Sequence, residues 1–196
     1  MLILSQETAL SAALDVLNRA DGVILAPTET VYGLLCAEDH PQARERIYAL
    51  KRRPANKQLA NFVPSVETVR EFVPEIPETA KIFAEHFCPG PVTLVIPDGK
   101  GGTFGFRIPD HPFILDLLRA YGKAIASTSA NLSGQPAALS IEQATASLAG
   151  EPDLAVDGGI IPTGSKASTV IQVFADETWK ILRPGPVSEP DLRNVL

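Results

Sequence analysis

The sequence predicts an α/β fold, a twisted mixed sheet with helices packed on it, and three observations lead there. Apolar residues recur at helical spacing in several stretches, as at Leu10, Ala13, Leu14 and Leu17. Other apolar residues gather in short β-branched runs such as Gly22-Val23-Ile24-Leu25-Ala26 and Val92-Thr93-Leu94-Val95-Ile96. These two kinds of segment do not alternate strictly, which argues against a regular doubly wound parallel sheet.

In order along the chain, the helix around Leu10 to Leu17 ends at Asp21-Gly22, and a strand follows at Val23 to Ala26, so the chain is expected to open helix, turn, strand. Ala43, Ile47 and Leu50 mark a second helix ending near Pro54, and Ile76 to Phe87 a third, stopped by Pro89-Gly90-Pro91. Strand-like runs flank Gly99 to Gly102. A helix is predicted from His111 to Tyr121, then a buried strand from Lys123 to Ser127, then a helix whose Ser140 and Gln143 fit a capping box. Leu154 to Val156, Thr169 to Phe174 and Thr178 to Leu182 read as strands, with Asp176-Glu177 turning between the last two. Asp157 to Ser168 reads as a loop at a site.

The 196 residues fit one domain with a real core. No apolar run approaches the ~20 residues of a spanning helix, and Met1-Leu2-Ile3-Leu4-Ser5 carries no secretory pattern. A cytoplasmic protein with no membrane partner is the expectation. Cys36 and Cys88 lie far apart without zinc or redox spacing, so two reduced, mostly buried thiols are expected. With 17 Lys+Arg against 23 Asp+Glu the chain is net acidic, which argues against broad nucleic-acid binding as the main activity.

Several familiar chemistries find no support. Gly159-Ile160-Ile161-Pro162-Thr163-Gly164-Ser165-Lys166 has P-loop spacing but ends Ser-Lys, the reverse of the needed order, and a strand follows where a P-loop needs a helix. No Gly-x-Gly-x-x-Gly follows a strand. His40, His86 and His111 have no Cys or carboxylate partner at ligand spacing, and no metal site is read. Ser127-Thr128-Ser129-Ala130-Asn131 lacks the Gly-x-Ser-x-Gly elbow of a serine hydrolase.

That hydroxyl-rich run, with Ser133, can line a polar cavity; equally, its members suit turn and capping positions closing a strand. Lys51-Arg52-Arg53 with Lys57 can be the solvated end of a helix, where positive charge suits the macrodipole. Arg107 in Phe106-Arg107-Ile108 and Arg183 in Leu182-Arg183-Pro184-Gly185 are less easily explained so, because arginines among strand residues call for an anionic partner. Several cations beside a hydroxyl-rich loop suggest a polyphosphate pocket.

Pro27-Thr28-Glu29-Thr30-Val31-Tyr32-Gly33-Leu34 resembles the signature of the YrdC-like family of threonylcarbamoyl-adenylate synthases. Further landmarks follow in the family's order: Lys51-Arg52-Arg53-Pro54, Pro89-Gly90-Pro91-Val92-Thr93, Arg107-Ile108-Pro109, Ser127 to Gly134, Ala167-Ser168-Thr169-Val170 and Leu182-Arg183-Pro184-Gly185. The resemblance spans nearly the whole chain. It implies a YrdC-like fold around a positively lined cavity for ATP and L-threonine. It further implies synthesis of threonylcarbamoyl-AMP and pyrophosphate from L-threonine, bicarbonate or CO2, and ATP, with Mg2+ assisting, on the way to the tRNA base threonylcarbamoyladenosine. Partners implied are a downstream threonylcarbamoyl transferase complex and tRNA.

Carried over residue by residue, the resemblance gives Lys51 and Arg53 to the triphosphate, and Thr128, Ser129, Asn131 and Arg183 to the nucleotide. It gives Thr30 and Arg107 to the threonine, Ser168 or Thr169 to the closing of the amino-acid side, and Thr93 to the reaction centre. Asn56-Lys57-Gln58-Leu59-Ala60-Asn61-Phe62 departs from the family's frequent Asn-Pro-Leu and downstream histidine. The end soon after Gly185 suits the short form, one domain over residues 1–196. Two alternatives stand beside this reading: a carbamoyl-adenylating relative, whose acylphosphatase and zinc-binding segments are absent from the sequence, and a non-catalytic double-stranded RNA-binding protein.

Overall fold

The computed structural model describes residues 1–196, and its strands join in one sheet of ten. The strands are β1 (Leu2–Ser5), β2 (Ile24–Ala26), β3 (Gly33–Ala37), β4 (Ala60–Phe62), β5 (Val92–Pro97), β6 (Thr103–Arg107), β7 (Ile125–Ser129), β8 (Leu154–Asp157), β9 (Thr169–Val173) and β10 (Trp179–Arg183). The helices are α1 (Leu10–Leu17), α2 (Pro41–Lys51), α3 (Val66–Val69), α4 (Glu78–Phe87), α5 (Pro112–Tyr121), α6 (Ile141–Ser147) and α7 (Glu189–Arg193). Across the sheet the order is β1-β8-β2-β3-β7-β4-β6-β5-β9-β10. Parallel pairs such as β5 with β9 sit beside antiparallel pairs such as β3 with β7, the mixed sheet that the sequence predicts. No helix is long and apolar enough to cross a membrane.

The chain opens with a strand, β1, ahead of the expected helix, and β1 lies at the sheet edge beside β8. The central strand β7 runs on to Ser129, so Ser127, Thr128 and Ser129 are strand residues rather than the turn after one. Ser140 caps α6 by accepting from Gln143 N at 3.3 Å, but the Gln143 side chain accepts from Leu139 N, one residue before the cap. A complete capping box forms instead at α7, between Ser188 and Asp191.

Period-two alternation sorts each strand's residues between two faces. In the half of the sheet around β8, β2, β3 and β7, both faces are covered. Val23, Leu25, Leu34, Cys36, Ala126 and Ala155 pack under α2 and α6. Their strand neighbours Ile24, Ala26, Leu35, Ile125, Leu154 and Val156 pack under α1 and α5. In the half around β6, β5 and β9 only one face is covered. Val92, Leu94, Ile96, Phe106, Ile171 and Val173 pack with Phe83 and Ala84 of α4. Thr93, Val95, Gly105, Arg107 and Val170, turned the other way, form the floor of a cavity.

Candidate active site

The cavity measures about 540 Å³ and takes its walls from both sheet halves and from loops at the strand ends. Arg53, Arg107 and Arg183 line it, with Thr28, Thr30, Thr93, Ser127, Thr128, Ser129 and Ser168, and no carboxylate residue is in its wall. Arg53 and Arg183 are held by backbone or hydroxyl oxygens, and Arg107 by these and by the Glu29 carboxylate.

The signature loop after β2 builds one end. The Thr28 hydroxyl oxygen accepts from the backbone N–H of Thr30 and Val31 at 3.1 and 3.2 Å and donates to Val31 O at 2.7 Å. With its proton spent there, Thr28 Oγ1 accepts from the Thr30 hydroxyl at 2.9 Å. Thr30 Oγ1 in turn accepts from both terminal nitrogens of Arg107, at 3.1 and 3.2 Å. Arg107 Nε donates to Gly90 O at 3.0 Å, and one terminal nitrogen forms a 2.6 Å ion pair with Glu29. Only 5% of Arg107 is exposed, so the carboxylate is what makes its burial affordable. Glu29 Oε1 also accepts from Asp110 N at 3.0 Å.

Beside this end, Thr93 and Ser168 share a 2.8 Å hydroxyl contact across the parallel pair β5 and β9. Arg183 donates to Ser168 O at 2.9 and 3.1 Å and to its hydroxyl at 3.1 Å. The opposite end is built by the exit of α2. Arg52 takes the left-handed conformation at φ 46°, which stops the helix and turns Arg53 into the cavity wall. Arg53 then donates to Lys57 O at 3.0 Å and Gln58 O at 2.9 Å, shaping the segment where the sequence departs from the family pattern.

Lys51 behaves differently. It is 1% exposed and outside the cavity wall, and its ammonium donates to Ser129 O and, at 2.7 Å, to Asn131 O. Its own carbonyl accepts from Ser133 N at 2.9 Å. Burial, with repulsion from Arg53, pushes its pKa down to about 7, while the two carbonyl acceptors favour the charged form. Lys51 thus braces the hydroxyl-rich wall from behind. Asn131 is also turned away, donating to Leu132 O and Gln135 O at 2.7 and 2.8 Å. Thr169 is fully buried and exchanges hydrogen bonds with the Val187 backbone at 2.9 and 3.0 Å.

Of the residues singled out from the sequence, the cavity therefore gathers Thr30, Arg53, Thr93, Arg107, Thr128, Ser129, Ser168 and Arg183, and leaves Lys51, Asn131 and Thr169 behind its walls. Glu29 escaped the sequence reading because nothing local marks it as the partner of an arginine 78 positions on. Asn56, Gln58 and Thr103 also line the wall unforeseen, Thr103 donating to Gln58 at 3.3 Å.

The profile of the Sua5/YciO/YrdC family, described as telomere recombination, matches residues 16–185. This chain belongs to the Sua5/YciO/YrdC family. Among curated relatives, the threonylcarbamoyl-AMP synthase of Bacillus subtilis is 34% identical over 190 residues, covering 92% of this chain and 54% of the relative. The chain thus spans about half of that relative's length. Among solved family structures, P. abyssi Sua5 complexed with L-threonine superposes with a TM-score of 0.90 at 30% identity, over 100% of this chain and 61% of the other. E. coli YciO superposes with a TM-score of 0.79 at 25% identity, over 97% of each chain. The mixed sheet and its flanking helices are those of the family.

Proposed function

We propose that this chain makes threonylcarbamoyl-AMP and pyrophosphate from L-threonine, bicarbonate (or CO2) and ATP, acting as one YrdC-like domain over residues 1–196. The observation that carries the reading is the cavity itself, three arginines and a band of hydroxyls with no carboxylate in its wall, in a chain of this family. The names of its relatives support the same reading.

Threonine ammonium and bicarbonate combine into N-carboxythreonine with release of one water and one proton. A carboxylate oxygen of that carbamate attacks the α-phosphorus of ATP, the bond to the bridging oxygen breaks, and pyrophosphate leaves. An anion attacks an anion, so the step needs fixed positive charge where charge develops. Arg53 and Arg183 supply it for the triphosphate. Arg107, already oriented by Glu29 and Thr30, takes the carboxylate of threonine, with Thr93 and Ser168 beside the reacting nitrogen. Thr128 and Ser129 contact the nucleotide, while Lys51 and Asn131 act through them by holding their backbone. Thr169 fixes the wall that carries Ser168.

Protein-held Mg2+ usually takes one or two carboxylates, and the cavity wall presents none. The ion therefore enters as MgATP, with the substrate's own phosphates as its ligands. The product would pass in the cytoplasm to a threonylcarbamoyl transferase that modifies tRNA.

Pyrophosphate release by the purified chain tests the reading. Release that requires both L-threonine and bicarbonate, and falls when serine replaces threonine, is the expected result. ATP binding without threonine-dependent release rejects it.

A further inference from the structure

A second cavity of about 430 Å³ adjoins the first at Thr30, and its wall holds Glu29, Pro91, Gly164, Ser165, Lys166, Gly185 and Pro186, with no apolar side chain other than the prolines. Three of these residues come from the loop whose sequence mimics a P-loop without completing one. The loop is not a helix start, but free backbone N–H groups in a loop can also form an anion-binding concavity. The backbone N–H groups of Gly164, Lys166 and Gly185 donate to no group of the chain. Gly164 sits at φ 93°, a left-handed conformation that opens the backbone at this point. Lys166 is the one cation in this wall, exposed and bonded to no other group of the chain. The two segments are pressed together: a Cβ on Gly185 would collide with Thr169 N and lie 2.6 Å from Ala167 O. No side chain fits at position 185, which is why glycine stands there.

We infer that this second cavity is a site for a small oxyanion, and that its occupant is bicarbonate waiting beside the amino-acid end of the main cavity. The inference rests on the function proposed above and adds to it the place of the one-carbon substrate. Position favours bicarbonate, because the cavities meet at Thr30, on the side where Arg107, Thr93 and Ser168 lie, and not at Arg53. Charge narrows the choice of occupant. Glu29 faces this cavity with one oxygen paired to Arg107 and the other buried without a partner, so a singly charged anion meets less repulsion there than pyrophosphate does.

Lys166→Gln and Lys166→Glu test the site, since Lys166 is exposed and touches nothing the fold needs. The KM for bicarbonate rises in the order wild type, Gln, Glu, by about threefold to fivefold for the first substitution, as suits an exposed charge. The KM values for ATP and threonine, and kcat at saturating bicarbonate, stay unchanged. Line broadening of 13C-bicarbonate by the protein gives the same ranking without turnover, so the site is tested even if the proposed activity is wrong. A bicarbonate KM and line width that ignore both substitutions overturn the inference. So does a weakening of pyrophosphate product inhibition with bicarbonate unaffected, which assigns the cavity to the leaving group instead.

Discussion

The two halves of the sheet are built from the same kind of strand and put to different uses. Around β8, β2, β3 and β7 helices cover both faces, so Val23, Ile24, Leu25 and Ala26 are all fully buried and consecutive residues read as one apolar run. Around β6, β5 and β9 one face packs on α4 and the other is left open, so Thr93 separates Val92 from Leu94 and Arg107 separates Phe106 from Ile108. The first half is packed on both faces and opens to the cavity only at Gly33 and the end of β7. The second gives a floor on which polar groups can be set at strand spacing without disturbing the core behind them.

That division can be broken from either side. Phe106→Ala removes a fully buried ring on the core face and should lower unfolding free energy by about 3–5 kcal/mol. Chemical denaturation measures this, and a much smaller loss would mean that the α4 side is not a packed core. On the cavity face, Arg53→Gln should cost about two to three orders of magnitude in turnover, the scale of one lost donor to developing charge. Its midpoint of unfolding should move little, because its partners are exposed carbonyls.

Lys51 lies between the two cases, a charge buried behind the cavity wall. Its folded pKa, about 7, is below its usual value near 10.5. The unfolded chain therefore holds more protons between those limits, and stability from this group rises as pH climbs from 7 towards 10.5 and is absent from the slope below 7. Relative to Lys51→Met, which has no such group, the wild type should gain on the order of 2 kcal/mol between pH 7 and pH 9. Parallel pH profiles of the two proteins would show that Lys51 stays charged in the fold. Smallest is Thr93→Val, which keeps shape and burial and removes one hydroxyl contact with Ser168. About 1 kcal/mol of stability is at stake, while turnover should fall well beyond that if the hydroxyl stands at the reaction centre.

The same contrast explains what was legible in the sequence. Strands β2, β5, β9 and β10 and helices α1, α4 and α5 announced themselves through periodicity and Pro or Gly stops. β4 is three residues long, Ala60-Asn61-Phe62, and too short to show a period. β1 is an exposed edge strand with no buried face to enforce alternation. α7 did carry a signal, Ser188 followed by Asp191 with Pro190 between them, and it went unread. Residue types and order pointed to side chains most of which the fold gathers round one cavity, but the direction of each did not follow from them. Lys51, at the end of an amphipathic helix, reads as a solvated cation. Only the fold brings the carbonyls of Ser129 and Asn131 to its ammonium.

Hydrogen–deuterium exchange of the chain with and without L-threonine and a non-hydrolysable ATP analogue tests most directly whether the open face is where substrates bind. Protection should gather at Thr28 to Gly33, Asn56 to Phe62, Ser127 to Asn131 and Gly164 to Val170, with β1, β8 and β2 unchanged. Protection centred on β1 and β8, or none at concentrations that support turnover, would contradict the account.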